Sequence, residues 1–367
     1  MTDFSVADHE YMAQALRLAK KGLYTTHPNP RVGCVLVKQG QVVGEGWHEY
    51  AGGPHAEVNA LQQAGDKARG TTVYLTLEPC SHHGRTPPCS QALVDAGVAR
   101  VIAAMQDPNP LVAGKGLAQL QEAGIAVETG LLEEQARLLN QGYIKRMQRG
   151  RPYVRHKLAM SLDGRTAMAS GESKWITSAT ARDDVQRYRA QSDAILTGVG
   201  TVLADDPSMT VRLEGHERQP LRVVVDTNLS MSPEAKMLKL PGNTLILTCS
   251  ENEAAREALQ KAGAEVKTMP YCATQVDLGS VLDELGDMGI NEVFVETGAT
   301  LSGAMLRDGL SDEMIIYVAP TLMGDNARGL FRLPELENMA QKIDVEVIDV
   351  RMIGKDMRLT AKMASTS

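Results

Sequence analysis

The chain has 367 residues, of which 43% are apolar and 4% aromatic, and it carries a formal net charge of −7. That length is more than one ordinary core needs and predicts two domains; the acidic balance speaks against non-specific nucleic-acid binding, which requires a basic surface. No stretch nears the ~20 apolar residues of a membrane span, no N-terminal segment has the form of a signal peptide, and the odd, scattered set Cys34, Cys80, Cys89, Cys249 and Cys272 suits a reducing cytoplasm better than a disulfide framework.

In chain order, a helix is predicted from Glu10 to Lys20, where Met12, Ala15, Leu16 and Ala19 share one face. "THPNPRVG" is a Pro/Asn turn. Two strands, "VGCVLVK" and "QVVGEGWH", are joined through Gly40. "HAEVNAL" opens a helix from His55 to Ala64, with Val58 and Leu61 turned to the core. The strand "TVYLTLE", a long loop, the helix "SQALVDAG", the strand "RVIAAM", a helix from Lys115 to Ala123 and the strand "IAVE" complete an alternating α/β segment. The basic stretch "KRMQRGRPY" at 145–153, with its Gly and Pro, reads as the link, which places the domains at 1–147 and 148–367. The second domain starts on "YVRHKLAMSLDG" and continues with a helix from Thr180 to Ala190 and the strand "DAILTG". Further strands are expected at "LRVVVD", "NTLILT", "EVFVET" and "EMIIYVA". No internal repeat or low-complexity tract interrupts them, and order is expected almost to the polar tail "ASTS".

The chemistry-bearing residues of the first domain lie in two places. His55 and Glu57 open a helix, and Cys80 and Cys89 bracket the loop in "PCSHHGRTPPC". Cys89 follows two prolines and should open a helix as well. Unpaired N–H groups and the positive dipole end at a helix start favour thiolate over thiol. Two thiolates and one imidazole leave a fourth tetrahedral position for water, as a catalytic zinc requires. Glu57 would take a proton from that water and pass it to a leaving amine. The residues alone leave other readings open. His-x-Glu also occurs at plain helix starts, and His82 or His83 would complete a closed structural site of four protein ligands. Cys34 alternates along a strand and reads as core. Cys249 and Cys272 have no ligand pattern around them and read as structural.

"HAE" followed by "PC…C" resembles the zinc-dependent nucleotide deaminases, whose pattern is His-x-Glu and then Pro-Cys-x-x-Cys. Here eight residues separate the cysteines, where the short form has two. The expanded "EPCSHHGRTPPC", with "THPNPRVG" and "DPNPLVAGKG", resembles the bifunctional riboflavin-biosynthesis deaminase/reductase family over nearly the whole chain. The resemblance implies an N-terminal cytidine-deaminase-like α/β/α sandwich and a C-terminal dihydrofolate-reductase-like α/β domain. It implies one Zn2+ per chain on His55, Cys80 and Cys89, Glu57 as acid/base, and deamination of 2,5-diamino-6-(5-phosphoribosylamino)pyrimidin-4(3H)-one. Asn29 in "HPNP" and His48 after "GEGW" match substrate-holding positions, and Arg85 would meet the phosphate. Asp107 and Asn109 in "QDPNP" lie past a strand's carboxyl end, where α/β ligands bind; Asn/Asp-Pro sequences also make turns without any ligand.

In the second domain, "TGVGTVLADDP" follows a strand, but Leu203 stands at the third glycine of a dinucleotide fingerprint, so that reading is weak. "ETGATLSGAML" also follows a strand and opens a helix; Gly298, Thr300, Ser302 and Gly303 suit backbone approach to a phosphate. The resemblance implies NADPH as the cofactor. On its side are Ala159, Trp175, Thr201, Asp205, Thr227 and the run Gly298, Ala299, Thr300, Leu301, Ser302, Gly303 and Ala304. The implied reaction reduces the ribosyl group of 5-amino-6-(5-phosphoribosylamino)uracil to the ribityl form. Lys157 and Asp205 are the implied catalytic residues, with Ser173, Arg189, Met209, Arg212 and Glu296 toward the substrate. Plainer alternatives exist: Trp175 as core, Arg189 as a complement to a helix dipole, Lys157 as a solvent-facing strand residue, Asp163–Gly164 as a turn.

The leading expectation is a two-site cytoplasmic enzyme acting on small phosphoribosyl-pyrimidines, a homodimer or other homo-oligomer, with neither nucleic acid nor membrane as partner. The alternative is a deaminase with a regulatory nucleotide-binding second domain; the joint presence of Lys157, Asp205, Arg212 and Glu296 speaks against it. A nucleic-acid-editing deaminase would need a basic stripe or an aromatic platform, and the composition favours neither.

Overall fold

The alternating signals resolve into two main sheets in the computed structural model, which describes residues 4–81, 88–110, 112–272, 275–334 and 336–363. The chain divides into two units, Met1–Gly150 and Arg151–Ser367. In the first, β1 (Gly33–Lys38), β2 (Gln41–Trp47), β3 (Thr72–Leu75), β4 (Arg100–Ala103) and β5 (Ala126–Thr129) form a sheet of order β2-β1-β3-β4-β5. β1 is antiparallel to β2 and β3, and β3, β4 and β5 are parallel. The helices are α1 (Val6–Ala19), α2 (Ala56–Ala64), α3 (Cys89–Asp95), α4 (Lys115–Glu122), α5 (Glu133–Leu139) and α6 (Gln141–Arg149). Successive strand side chains point to opposite faces. Val35, Val37, Tyr74 and Ile102 therefore meet Met12 and Leu16 of α1, Ala136 of α5 and Ile144 of α6. Cys34, Leu36, Val73 and Leu75 meet Ala56 and Ala60 of α2, Leu93 of α3 and Leu120 of α4 on the other face. The unit is an α/β/α sandwich.

Three local expectations change here. α1 begins before Glu10, because Ser5 and Asp8 form a capping box: Asp8 N lies 3.1 Å from Ser5 Oγ, and Ser5 N lies 2.9 Å from the Asp8 carboxylate. The buried face of α2 is Ala56, Ala60 and Ala64, with Val58 and Leu61 only half-buried. Gly44 and Gly46 of β2 are the reason. A Cβ at either would lie 2.3 or 2.2 Å from the carbonyl oxygen of Ala60 or Ala56, so small residues must face this close contact. The basic stretch expected as the link forms the end of α6 up to Arg149, and an end at residue 147 falls inside that helix. The chain leaves α6 at Gly150, whose φ of 72° supplies the left-handed stop.

The second unit holds β6 (Tyr153–Ser161), β7 (Arg165–Ala167), α7 (Ala179–Gln191), β8 (Ala194–Gly198), α8 (Val199–Asp205), β9 (Leu221–Val225), β10 (Thr244–Thr248), α9 (Glu253–Lys261), β11 (Ala264–Thr268), β12 (Tyr271–Cys272) and β13 (Gln275–Val276). It continues with α10 (Leu278–Asp287), β14 (Glu292–Glu296), α11 (Ala299–Arg307), β15 (Glu313–Ala319), β16 (Arg328–Gly329), β17 (Val345–Ile353) and β18 (Asp356–Met363). Nine strands form one sheet, β11-β10-β9-β8-β14-β6-β15-β18-β17. Neighbours from β11 to β15 are parallel, and the hairpin β17–β18 is added antiparallel. α10 and α11 cover one face through Val281, Leu282, Leu285 and Met305. α7, α8 and α9 cover the other through Val185, Val202 and Leu259. β8 connects outward to β9, whereas the neighbouring β14 connects the other way, past β6, to β15. The carboxyl ends of β8 and β14 thus flank a topological switch point, where open α/β sheets bind ligands.

Candidate active sites

In the first unit, three elements deliver one cluster. His55 occupies the N-cap position of α2, Cys80 follows β3, and Cys89 is the first residue of α3. The three ligand atoms lie within 4.8 Å of one another. His55 Nδ1 is 3.3 Å from Cys89 Sγ and 3.6 Å from Cys80 Sγ. A tetrahedral zinc with Zn–S of about 2.3 Å and Zn–N of about 2.0 Å has N···S edges of roughly 3.5 Å. The donor set and its spacing therefore fit zinc, and among the described residues no fourth protein ligand joins them. A hydrogen bond from Cys89 holds the Cys80 thiol well below its ordinary range against its burial, with His55 assisting; the same bond and burial push Cys89 up. The backbone N–H of Cys89 also donates to Cys80 Sγ at 3.3 Å.

Glu57 lies in the first turn of α2 and is 3% exposed. Burial pushes its carboxyl up to about 7, with His55 opposing. Beside the cluster, the ring of His48 meets that of His55 edge-on at 5.6 Å. Burial lowers the pKa of His48, so its ring is neutral near pH 7. Nδ1 donates to the Pro54 carbonyl and Nε2 accepts from Asn29 Nδ2, both at 3.0 Å. Asp107 and Asn109 sit past β4; Asp107 Oδ1 accepts from Asn109 N at 2.8 Å and from Tyr143 Oη at 3.1 Å. Tyr143 has no sequence signal, because it lies on α6, a helix the apolar spacing does not announce. Arg85, His82 and His83 lie outside the described residues, as does the side chain of Cys272. Cys34 and Cys249 are buried, as core residues should be.

In the second unit a cleft of about 1500 Å³ opens at the switch point. Lys157, Ala159, Ser173, Trp175, Arg189, Thr201, Asp205, Met209, Arg212, Thr227 and Glu296 all line it, as do Gly298, Ala299, Thr300, Leu301 and Ala304. Ser302 and Gly303, expected beside a phosphate, do not. Ser302 is fully buried, with Oγ 3.0 Å from Nε2 of the buried His156, and a Cβ on Gly303 would lie 2.1 Å from the Arg332 carbonyl. The turn of α11 carries these two residues away from the cleft. Gly298 behaves otherwise: its Cβ would meet only Thr201 Oγ1, at 3.9 Å, so internal packing does not demand a glycine there.

Charge in this cleft is largely paired. Arg189 holds Glu296 through Nε–Oε1 at 2.5 Å and Nη2–Oε2 at 3.0 Å, and its Nη1 donates to the Thr210 carbonyl at 2.9 Å. That guanidinium is committed to protein groups, which weakens its expected hold on the substrate. Burial would raise the Glu296 pKa, but Arg189 and then Lys157 hold it below the usual range. The half-buried Lys157 is pushed below 10.5 by burial, with Glu296 pulling back. Arg212 lines the same wall, its pKa lowered by burial and by Arg189. Asp205 pairs with Lys174 Nζ at 3.4 Å. Trp175 is not core: it is 72% exposed, with Arg182 stacked over its ring at 4.4 Å. Met209 is buried in the left-handed region, φ 48°, a strained conformation of the kind that clusters at ligand sites. Lys174, Arg182, Lys236, Arg328 and Arg332 also line the cleft; no sequence motif marks them, although Lys174 stands between Ser173 and Trp175. A wide cleft with several cations and a glycine at the start of α11 fits a phosphorylated dinucleotide.

No helix among the described residues is long and apolar enough to cross a membrane. The cytidine and deoxycytidylate deaminase zinc-binding region matches residues 5–105, and the RibD C-terminal domain matches residues 152–359. The riboflavin biosynthesis protein RibD of Escherichia coli K12 is 52% identical over 366 aligned residues, 96% of this chain and 98% of that protein. Its counterpart in Haemophilus influenzae is 49% identical, covering 98% of each. Acinetobacter baumannii RibD superposes with a TM-score of 0.91 at 48% identity, covering 98% of this chain and 99% of that one. A Thermotoga maritima diaminohydroxyphosphoribosylaminopyrimidine deaminase/5-amino-6-(5-phosphoribosylamino)uracil reductase does so with a TM-score of 0.87 at 33% identity, covering 98% and 99%. Shared nearly end to end, with both halves matched in the same order, the chain belongs to the RibD family of riboflavin biosynthesis, which joins a zinc-dependent deaminase to an NADPH-dependent reductase.

Proposed function

We propose that the two sites take consecutive steps on one small-molecule skeleton, the diaminohydroxyphosphoribosylaminopyrimidine and then the 5-amino-6-(5-phosphoribosylamino)uracil for which the Thermotoga relative is named. What supports this most is the convergence of His55, Cys80 and Cys89 beside a buried Glu57. These three side chains would hold zinc. Zinc, when bound, supplies the Lewis acidity that makes a water nucleophilic near neutral pH. Glu57 accepts the proton of that water and delivers one to the departing amine; oxygen joins the ring carbon, the C–N bond breaks, and ammonia leaves. A buried carboxyl in the first turn of the helix that His55 caps is placed for both transfers. Asn29, His48, Asp107 and Asn109 orient the pyrimidine and its sugar, and Arg85 meets the phosphate.

In the second site, Gly298 to Leu301 and Ala304, with Ala159, Trp175, Thr201 and Thr227, would hold NADPH. NADPH, when bound, supplies the hydride that reduces the ribosyl carbon. Lys157 donates the accompanying proton, and Asp205 orients the sugar. Arg212 and Ser173 hold the 5′-phosphate, while Arg189 acts by fixing Glu296 against Lys157.

We also read the chain as a cytoplasmic homo-oligomer, a dimer first. Its free thiols suit a reducing compartment. On the edge strand β17, Val345, Val347, Ile348, Val350 and Met352 are between 45% and 65% exposed. Antiparallel pairing with a second copy that sets Glu346 against Arg351 also sets Val347 against Val350 and Val345 against Met352. An unpaired edge with this self-complementarity favours association with its like.

Removal of bound metal by a chelator tests the core of the reading. Ammonia release should vanish and return with added Zn2+, while NADPH oxidation on the deaminated compound continues. Deamination that survives metal removal would sink it.

A further inference from the structure

We propose that Glu78 is a positioning residue of the deaminase, setting the distance between the Cys80 arm and the turn that carries Asp107. Glu78 lies between β3 and Pro79–Cys80 and is 4% exposed. Backbone donors fill its carboxylate. Oε2 accepts from Asp107 N at 3.0 Å and Gly114 N at 2.9 Å; Oε1 accepts from Gly116 N at 2.9 Å and, more weakly, Leu117 N at 3.4 Å.

This arrangement joins three segments. The N-cap of α4 is Gly114, which has no side chain to cap the helix, so Glu78 supplies both the acceptor and the negative charge that a helix start favours. A Cβ on Gly116 would lie 1.9 Å from the Pro79 carbonyl oxygen, so the first turn of α4 is seated directly on the peptide before Cys80. Farther along α4, Gln119 Oε1 lies 2.6 Å from Ser90 Oγ, which is 3.0 Å from the Cys80 carbonyl. The Glu78 backbone donates to the Met105 carbonyl at 3.0 Å, just ahead of the Asp107 turn. One carboxylate therefore sets Cys80, Asp107 and α4 relative to one another. Gln in its place would turn an N–H2 toward one pair of backbone donors, and Asp would fall a methylene short.

The inference rests on the reading above that Asp107 contacts the pyrimidine substrate. Its test is a double-mutant cycle in the full-length, zinc-loaded protein, with ammonia release as the readout. Glu78→Gln should raise the KM of deamination about tenfold, with a smaller change in kcat, since sub-ångström displacement of a substrate-holding group is costly. Zinc should stay at one per chain, and NADPH oxidation on the deaminated compound should be unchanged. Asp107→Asn should raise KM on its own, and the double variant should be no worse than the poorer single variant within about twofold. Multiplicative effects of the two changes overturn the proposal, as does a Glu78→Gln protein whose defect is cured by added zinc. A wild-type KM in Asp107→Asn overturns the assignment of Asp107 along with it. If Glu78→Gln fails to fold, Glu78→Asp carries the same cycle with the same expected outcomes.

Discussion

The first unit gathers its chemistry at three ligand atoms within 4.8 Å, beside one buried carboxylate. The second spreads its chemistry along a cleft of about 1500 Å³ lined from β6, β8, α8, β14 and α11. The difference follows from what each must hold. A metal ion demands fixed ligand types at fixed distances. A dinucleotide and a sugar are held by many modest contacts, several of them to backbone or small residues. Substitution should therefore be close to all-or-none in the first site and graded in the second.

The largest expected effect is in the first site. Glu57→Gln should lower ammonia release by about 10³-fold with zinc still bound, because the side chain works on protons without being a ligand. NADPH oxidation on the deaminated compound should persist. Residual deamination above about a tenth of wild type would break the contrast.

The next effect is in the second site, where Lys157→Met should lower NADPH oxidation by about 10²-fold. Lys157 must be protonated to donate, and burial places its pKa below 10.5. Reductase activity should accordingly fall as pH rises through that depressed value. Glu296 pulls the lysine pKa up, so Glu296→Gln should move the alkaline limb of kcat/KM to lower pH. A limb that stays in place contradicts this pairing.

Smaller effects should reach stability or assembly without distinguishing the two chemistries. Burial would raise the Asp8 carboxyl, but hydrogen bonds from Tyr74 Oη, at 2.7 Å, and from Ser5, with Arg100 nearby, hold it at about 2. Its folded pKa is below the ordinary 3.8, so the stabilisation is complete above that value and is lost as pH falls toward 2. Asp8→Asn should cost the first unit about 1–2 kcal/mol at pH 7. The difference from wild type should shrink on acidification, as thermal denaturation at several pH values would show. Smallest for activity, Val350→Lys on β17 should reduce self-association, measured by light scattering, and change either activity less than about twofold.

How much of this was legible varied with the same contrast. His55, Glu57, Cys80 and Cys89 could be read because zinc chemistry fixes residue type and spacing, and α2 and α3 start where a capping position and a proline pair place them. Apolar period did not reveal α5, α6 or α8. α6 carries Lys145, Arg146 and Arg149 among few apolar residues and reads as a link, while α8 begins in a Gly-Val-Gly run that resembles a turn. In the second site, the helix opening at Ala299 was visible, but the direction of its residues was not. Ser302 and Gly303 turn to His156 and the Arg332 carbonyl, contacts that depend on how distant segments pack. Trp175 was open to a core reading until Arg182 was found stacked on its exposed ring. The β17–β18 hairpin escaped notice, and under the proposed self-association its exposed apolar residues form the surface that a second copy would cover.

The claim that these sites take consecutive steps is tested most directly by following NADPH oxidation started from the diamino compound. Three samples are compared: Glu57→Gln, Lys157→Met and an equimolar mixture of the two. Each variant alone should oxidise NADPH at no more than about a hundredth of the wild-type rate, and the mixture should recover the activity, because one supplies the deaminated intermediate and the other reduces it. Oxidation at the wild-type rate by Glu57→Gln alone would contradict the account, since reduction would then not wait on deamination.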